Sequence, residues 1–234
     1  MAYLERANFE GANLAGADLK GAHLEKTHLE EANLQKVNLM GAYLKGANLI
    51  RANLDGANLI RANLNEANLK GANLEKAHIE GADFVGAHLE DAHFEKAHLW
   101  WVNIVKAHLE KACFKEARLK EADLKEAHLG ETHFEGANLE KAHIEGTDLV
   151  GAHLEDAHLE KAHLAEADLF MAYFDGANLD GANLVMDNLE EAHLQGAHKL
   201  TIEQLSKVKT LSNAKLDEEL LNSLRKEHAY LFKS

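Results

Sequence analysis

The chain has no proline and one cysteine among its 234 residues, only 2 Trp and 4 Tyr, and 25 Lys/Arg against 39 Asp/Glu. Each shortage excludes something. Without proline there are no proline-rich linkers. The single cysteine, Cys113, cannot form an internal disulfide. No run of about 18 apolar residues occurs, so no membrane-spanning helix is expected. The opening residues, MAYLERANFEG, show no basic stretch followed by an apolar core, so no secretory signal and a cytoplasmic location are expected. A formal charge of −14 argues against direct nucleic-acid binding. Yet 46% of the residues are hydrophobic, so composition does not predict disorder.

What is present is a repeat. Every fifth residue from Leu4 to Leu194 is Leu, Phe or Ile, at 39 positions without exception. Call this position i. Ala occupies i−2 in 33 units, the others being Thr27, Val37, Val102, Thr132, Thr147 and Asp187. Gly occupies i+2 in 15 units. Period five fits neither regular element. On an α-helix a step of five advances about 500°, scattering the leucines around the axis. On a continuous strand an odd step flips the face each time. Both difficulties vanish if every unit contains a turn, with i−2 and i pointing inward, i−1 outward, and Gly accepting corner dihedrals at i+2. Such a chain winds as a solenoid whose coils pair like parallel strands.

Units such as GANLI (46–50), RANLD (51–55) and GANLD (176–180) resemble the pentapeptide-repeat family, and the resemblance runs from residue 2 to about 198. It implies an all-β solenoid, a right-handed quadrilateral β-helix with four units per coil. At about 4.8 Å per coil, some ten coils make a rod of about 47 Å. Residue n then stacks on residue n+20, which puts Phe94, Phe114, Phe134 and Phe174 in one inner column interrupted by Leu154. Asp187 is the one inward charge, which a dry core does not tolerate unpaired. The coil is expected to loosen there.

The period fails after Leu194, and the expected division is a β-helix over residues 1–198 and a helical cap over 199–234. Thr201 and Gln204 form a capping box before Ile202, Leu205 and Val208. Asp217 is placed to cap a second helix carrying Leu220, Leu221 and Leu224. A solenoid needs such a lid over its last coil. The same helices, or a rod end, are where a homodimer would form.

Of 16 histidines, 15 sit at the outward i−1 position, and Asn fills that position in another 15 units. Stacking aligns His88, His108 and His128 in one column and His133 with His153 in another, with Cys113 beside them. These five histidines are the candidate metal ligands, although a straight ladder on a flat wall does not converge tetrahedrally. Protonating stacked imidazoles should repel them, so acid is expected to weaken the rod. Residues 73–99 and 138–164 are near copies, differing at 3 of 27 positions and offset by 65 residues. An offset of 13 units turns the copy onto an adjacent wall, which favours spread of a surface pattern over a site tied to one wall. Nothing suggests catalysis: no nucleophile elbow, oxyanion device or phosphate loop is visible, and no cofactor is expected.

Exposed apolar residues are better leads. Trp100 and Trp101 occupy i+1 and i+2, with Val105 outside near Val85. Phe170, Met171 and Tyr173 form a second group. Clusters of this kind mark partner sites. The first functional reading is a non-enzymatic interaction scaffold with an unidentified protein partner and no membrane contact. The second comes from the resemblance: quinolone-resistance pentapeptide proteins are acidic rods that resemble B-DNA and bind type II topoisomerase. Residues 1–195 carry 34 acidic and 18 basic residues. Their net charge is about half that of B-DNA over the same length, and the sequence shows no plain segregation to one wall. Metal binding by the histidine columns is the third.

Overall fold

The computed structural model describes residues 2–233. Each unit is a short extended stretch followed by a two-residue turn. The i−1 residue bridges in parallel to the residue 20 further on, from Tyr3 with His23 to Asn178 with His198. Four units therefore make one coil. The coils build four walls, whose i−1 columns run from Tyr3 to Asn183, from Asn8 to Asn188, from Asn13 to His193 and from Asp18 to His198.

An account of the main-chain N–H groups explains the unit. Around Leu24, the N–H of His23 donates to Ala2 in the coil before, at 2.9 Å. Those of Leu24 and Lys26 donate to Tyr43 and Lys45 in the coil after, at 2.7 and 3.0 Å. The N–H of Thr27 closes the turn onto the Leu24 carbonyl at 3.2 Å. Four donors in five are thus consumed by the backbone, and the one left over is at i+1. Lys26 has φ 56°, and φ is positive at i+2 in every one of the 39 units, 15 of them glycine. A positive φ at i+2 alone is the signature of a type II turn.

Position i and its i−2 alanine fill the interior. From Ala22 to Leu194 these side chains are essentially inaccessible. Phe94, Phe114 and Phe134 stack face to face at 4.6 and 5.1 Å. The buried threonines at i−2 are satisfied: Thr27 and Thr147 donate to Leu24 and Ile144 carbonyls, and Thr132 to that of Leu109.

Asp187 departs from expectation. The coil does not loosen there, since Asn188 still bridges Asp168. Asp187 is fully buried; its Oδ1 accepts from the Ala167 N–H at 3.0 Å, and its Oδ2 has no partner. Burial pushes its pKa up to about 8, against the pull of the Ala167 and Glu166 N–H groups. At neutral pH the core holds a protonated acid, which is how it tolerates the residue.

Solenoid pairing also continues past residue 198. After α1 (Ile202–Leu205), Thr210 and Lys215 bridge Asn188 and His193 at an offset of 22. Leu211 and Leu216, five residues apart, are buried. Asn213 sits at the turn with φ 55°. The short helix is thus a two-residue insertion after which the period resumes. Thr201 and Gln204 make both capping-box bonds, and Gln204 Nε2 also donates to the Leu179 and Ala182 carbonyls at 2.8 and 3.0 Å. Asp217 stands at the N-cap of α2 (Glu218–Glu227) but makes no side-chain bond to that helix. Its carboxylate accepts from the Gly196 N–H at 3.1 Å, pinning the helix to the last coil instead. A 3-10 helix, Ala229–Phe232, returns over the end, and the Leu211 N–H donates to the Leu231 carbonyl at 2.7 Å. Leu205, Leu211, Leu224 and Leu231 are buried beneath these elements.

Candidate functional site

The leftover i+1 donor decides the outer surface. In all 15 asparagine units the Asn Oδ1 accepts it, at 2.9 to 3.4 Å, as between Asn73 and Glu75 or Asn48 and Ile50. The histidine Nδ1 stands at the same branch position as the asparagine Oδ1, but among the described residues it accepts no such bond and faces a glutamate instead. Ten of the 15 outward histidines are followed two residues later by Glu. In these units the Glu Oε1 faces the His Nδ1, at 3.0 Å for His133–Glu135 and 3.1 Å for His153–Glu155. The second oxygens of the same ten glutamates are buried and make no hydrogen bond. In Glu135 the carboxylate lies against its own main-chain N–H. Burial opposes its ionisation, but that N–H, His133 and Lys115 outweigh burial and hold its pKa below the usual range. At Glu135 the His–Glu pair thus places a carboxylate at the corner that asparagine closes elsewhere. The coupling was readable by comparing i−1 with i+1 along each unit; reading down the columns hides it.

The expected ladders are present. His88, His108 and His128 stack with rings 4.9 and 4.8 Å apart and within 5° of parallel. His133 and His153 stack at 4.7 Å and 8°, and Tyr173 continues that column at 4.8 Å rather than joining Phe170 and Met171 in an apolar patch. Cys113, half-buried in the same column, has its pKa pushed up to about 11, chiefly by burial, so it stays a thiol.

Trp100 and Trp101 form the corner between the fourth and first walls. Trp100 is half-buried and stacks on His98 at 5.7 Å, with the Arg118 guanidinium 6.0 Å from its ring. Trp101 is 63% exposed, and its Nε1 donates to Glu121 at 3.0 Å. A shallow groove of ≈ 460 Å³ beside Trp100 is lined by Arg118, Lys120, Asn138, Glu140 and His158. The His98 pKa is lowered, first by burial and then by Arg118 and His78, with Glu80 opposing. Val105 lies at the next corner, half-buried, and is not part of this surface. Met171 is 42% exposed beside half-buried Phe170, on the corner diagonally opposite the tryptophans. Sequence reading overlooked Arg118, the one arginine at i−1, and the exposed pair Val185 and Met186.

Charge is segregated after all. The wall from Asn8 to Asn188, with the corner that follows it, carries 11 acidic and 3 basic residues. The wall from Asp18 to His198, with its corner, carries 6 of each. The imbalance is invisible until the residues are sorted by the 20-residue register. No helix among the described residues is long and apolar enough to cross a membrane.

Geometry of this kind defines a four-walled β-helix, a solenoid of five-residue units. The family model for Pentapeptide repeats matches residues 2–41, 42–81, 82–120, 117–156 and 148–184, and the chain belongs to that family. It is 33% identical to HetL, a pentapeptide repeat protein involved in heterocyst differentiation regulation from the cyanobacterium Nostoc sp., with a TM-score of 0.49. That match covers 82% of this chain and 88% of HetL. QnrB1, a plasmid-mediated fluoroquinolone resistance protein, is 15% identical in one structure, with a TM-score of 0.59 and coverage of 95% and 98%. That likeness is one of fold. A search of curated proteins found no match.

Proposed function

We propose that this rod of about ten coils, closed by its C-terminal helices, is a non-enzymatic scaffold that engages a protein partner at the Trp100–Trp101 corner. The observation that carries the reading is Trp101, with φ 57° and 63% of its surface exposed. A left-handed backbone costs a non-glycine residue roughly 1–2 kcal/mol. An exposed indole recovers little of that by burial. The left-handed turn is one that every unit makes, but the exposed indole adds nothing to the coil, and a Trp pair flanked by an arginine is the composition of an interface hot spot. The test compares the native chain with a Trp100→Ala, Trp101→Ala double variant in affinity capture, using Phe170→Ala, Met171→Ala as the control. Loss of a partner from the tryptophan variant alone supports the corner; equal recovery by all three chains removes it.

The acidic second wall favours a second reading, imitation of DNA toward a type II topoisomerase. Its net charge of about −8 over about 47 Å compares with about 14 phosphates on one DNA strand. Binding to DNA gyrase, measured at low and high salt beside a supercoiling assay, tests it. Glu31→Lys, Glu131→Lys and Glu191→Lys together should abolish a salt-sensitive interaction; binding that ignores them would exclude the wall.

A further inference from the structure

We propose that His78, Glu80 and His98 form a binding site for one divalent transition metal ion, with zinc the ion best matched to two imidazole nitrogens and a carboxylate oxygen. Four clusters among the described residues bring three possible ligand atoms within 4.8 Å of one another. They are His78–Glu80–His98, His133–Glu135–His153, His143–Glu145–His163 and Glu5–His23–Glu25. A metal ion lies in the plane of each imidazole that binds it, along the nitrogen lone pair. The His133–His153 and His143–His163 rings are stacked within 8° and 12° of parallel, so their lone pairs run side by side and do not meet. His78 and His98 are the exception: their planes cross at 73° with centroids 4.8 Å apart.

The two rings converge on one atom. The Nδ1 of His78 and the Nδ1 of His98 each lie 3.5 Å from Glu80 Oε1. No other carboxylate among the described residues faces two imidazoles in this way. At 3.5 Å neither contact is a good hydrogen bond. It is close to the separation of about 3.3–3.4 Å between ligand atoms of a tetrahedral zinc site with bonds of 2.0–2.1 Å. The His98 ring is packed against Trp100, which fixes the side of the site nearer the corner. The other charge in reach is Arg118, the next residue of the column beyond His98. It opposes a cation, and its guanidinium is drawn over Trp100 instead. This site does not depend on the scaffold reading and lies beside, not within, the exposed Trp101 surface.

The experiment uses the full chain without a histidine tag. Zinc is titrated calorimetrically, and cobalt is followed by its visible absorption and by quenching of Trp fluorescence. Trp100 and Trp101 are the chain's only tryptophans, so quenching reports this corner alone. The expected result is one tightest-binding ion per chain, accompanied by quenching. His98→Asn and Glu80→Gln should weaken that step at least tenfold, Arg118→Asn should tighten it severalfold, and His133→Asn should leave it unchanged. Asn fills the same i−1 position in 15 units and Gln195 stands at i+1 after His193, so these variants keep native corner chemistry; circular dichroism checks that they do. Several equivalent weak sites, or a tightest step that survives His98→Asn or falls equally with His133→Asn, would overturn the proposal.

Discussion

The two halves of the rod solve one problem with different chemistry. Up to residue 77, ten of the 15 outward positions are asparagine; from 78 to 163, eleven of 18 are histidine. The backbone of both halves is the same, down to the coil-to-coil hydrogen bonds at 2.6–3.3 Å. Asparagine caps the leftover N–H by itself, so i+1 is free to be Ala15, Met40, Ile50 or Lys70. Histidine recruits the glutamate at i+1, which uses up two positions and leaves a titratable pair on the surface. Ionisable surface chemistry is therefore concentrated in the half that also carries the tryptophans.

The comparison can be sharpened first by removing a confounding titration at the end of the second half. Asp187 holds a proton in the folded chain up to about pH 8, whereas the unfolded chain releases it near 3.8. Folding stability from this group is fully present at acid pH and declines as pH rises from about 4 to about 8. Asp187→Ala restores the usual alanine at i−2. It should stabilise the rod by about 1–3 kcal/mol at pH 9 and by less at pH 5, read from denaturant midpoints. The Ala167 N–H keeps its bond to the Leu164 carbonyl at 2.9 Å, so nothing is orphaned. A larger gain at pH 5 than at pH 9 would contradict the protonated core acid.

Next in size is the corner itself. Glu135→Ala in the native background exposes the unmet donor and should cost about 1 kcal/mol. With His133→Asn already present, the same change should cost nearly nothing. A double-mutant cycle measures the difference, and additive effects would show that the two corner solutions are not equivalent.

The smallest effect concerns a ladder histidine without a glutamate. His128 is followed at i+1 by Gly130, which has no positive φ and whose added Cβ would meet only the Val150 carbonyl oxygen, at an ordinary contact distance of 3.8 Å. Gly130→Glu would supply the missing partner. It should reduce the fall in melting temperature between pH 8 and pH 5, by the equivalent of a few tenths of a kcal/mol. An unchanged acid profile would mean that the neighbouring pairs, and not the isolated ring, carry the sensitivity.

Much of the fold is legible because position i is Leu, Phe or Ile in all 39 units and a two-residue turn is the one device that reconciles period five with a single buried side. The stacking interval of 20 is not contained in that period; it entered through the family resemblance, and the bridges display it. The resumption at Leu211 and Leu216 was hidden by the two-residue slip at α1, which breaks any search with a fixed step. Asp217 was assigned to the nearest helix because local spacing cannot reveal a partner 21 residues away. The site was less readable. The tryptophan corner follows from position alone. The crossing of His78 and His98 is set by side-chain rotamers, with Trp100 stacked on the His98 ring, and no spacing rule encodes that. Wall charge lay in the sequence throughout but requires the coil interval to sort it.

That interval also governs how the chain reaches its structure. Every hydrogen-bonded neighbour between coils is about 20 residues away in sequence, however long the rod becomes. The resulting relative contact order, about 20/234 or roughly 0.09, falls in the range of fast helical bundles rather than of β-sandwiches. A wholly β architecture of this length can thus assemble coil by coil behind the ribosome, each completed turn serving as the template for the next.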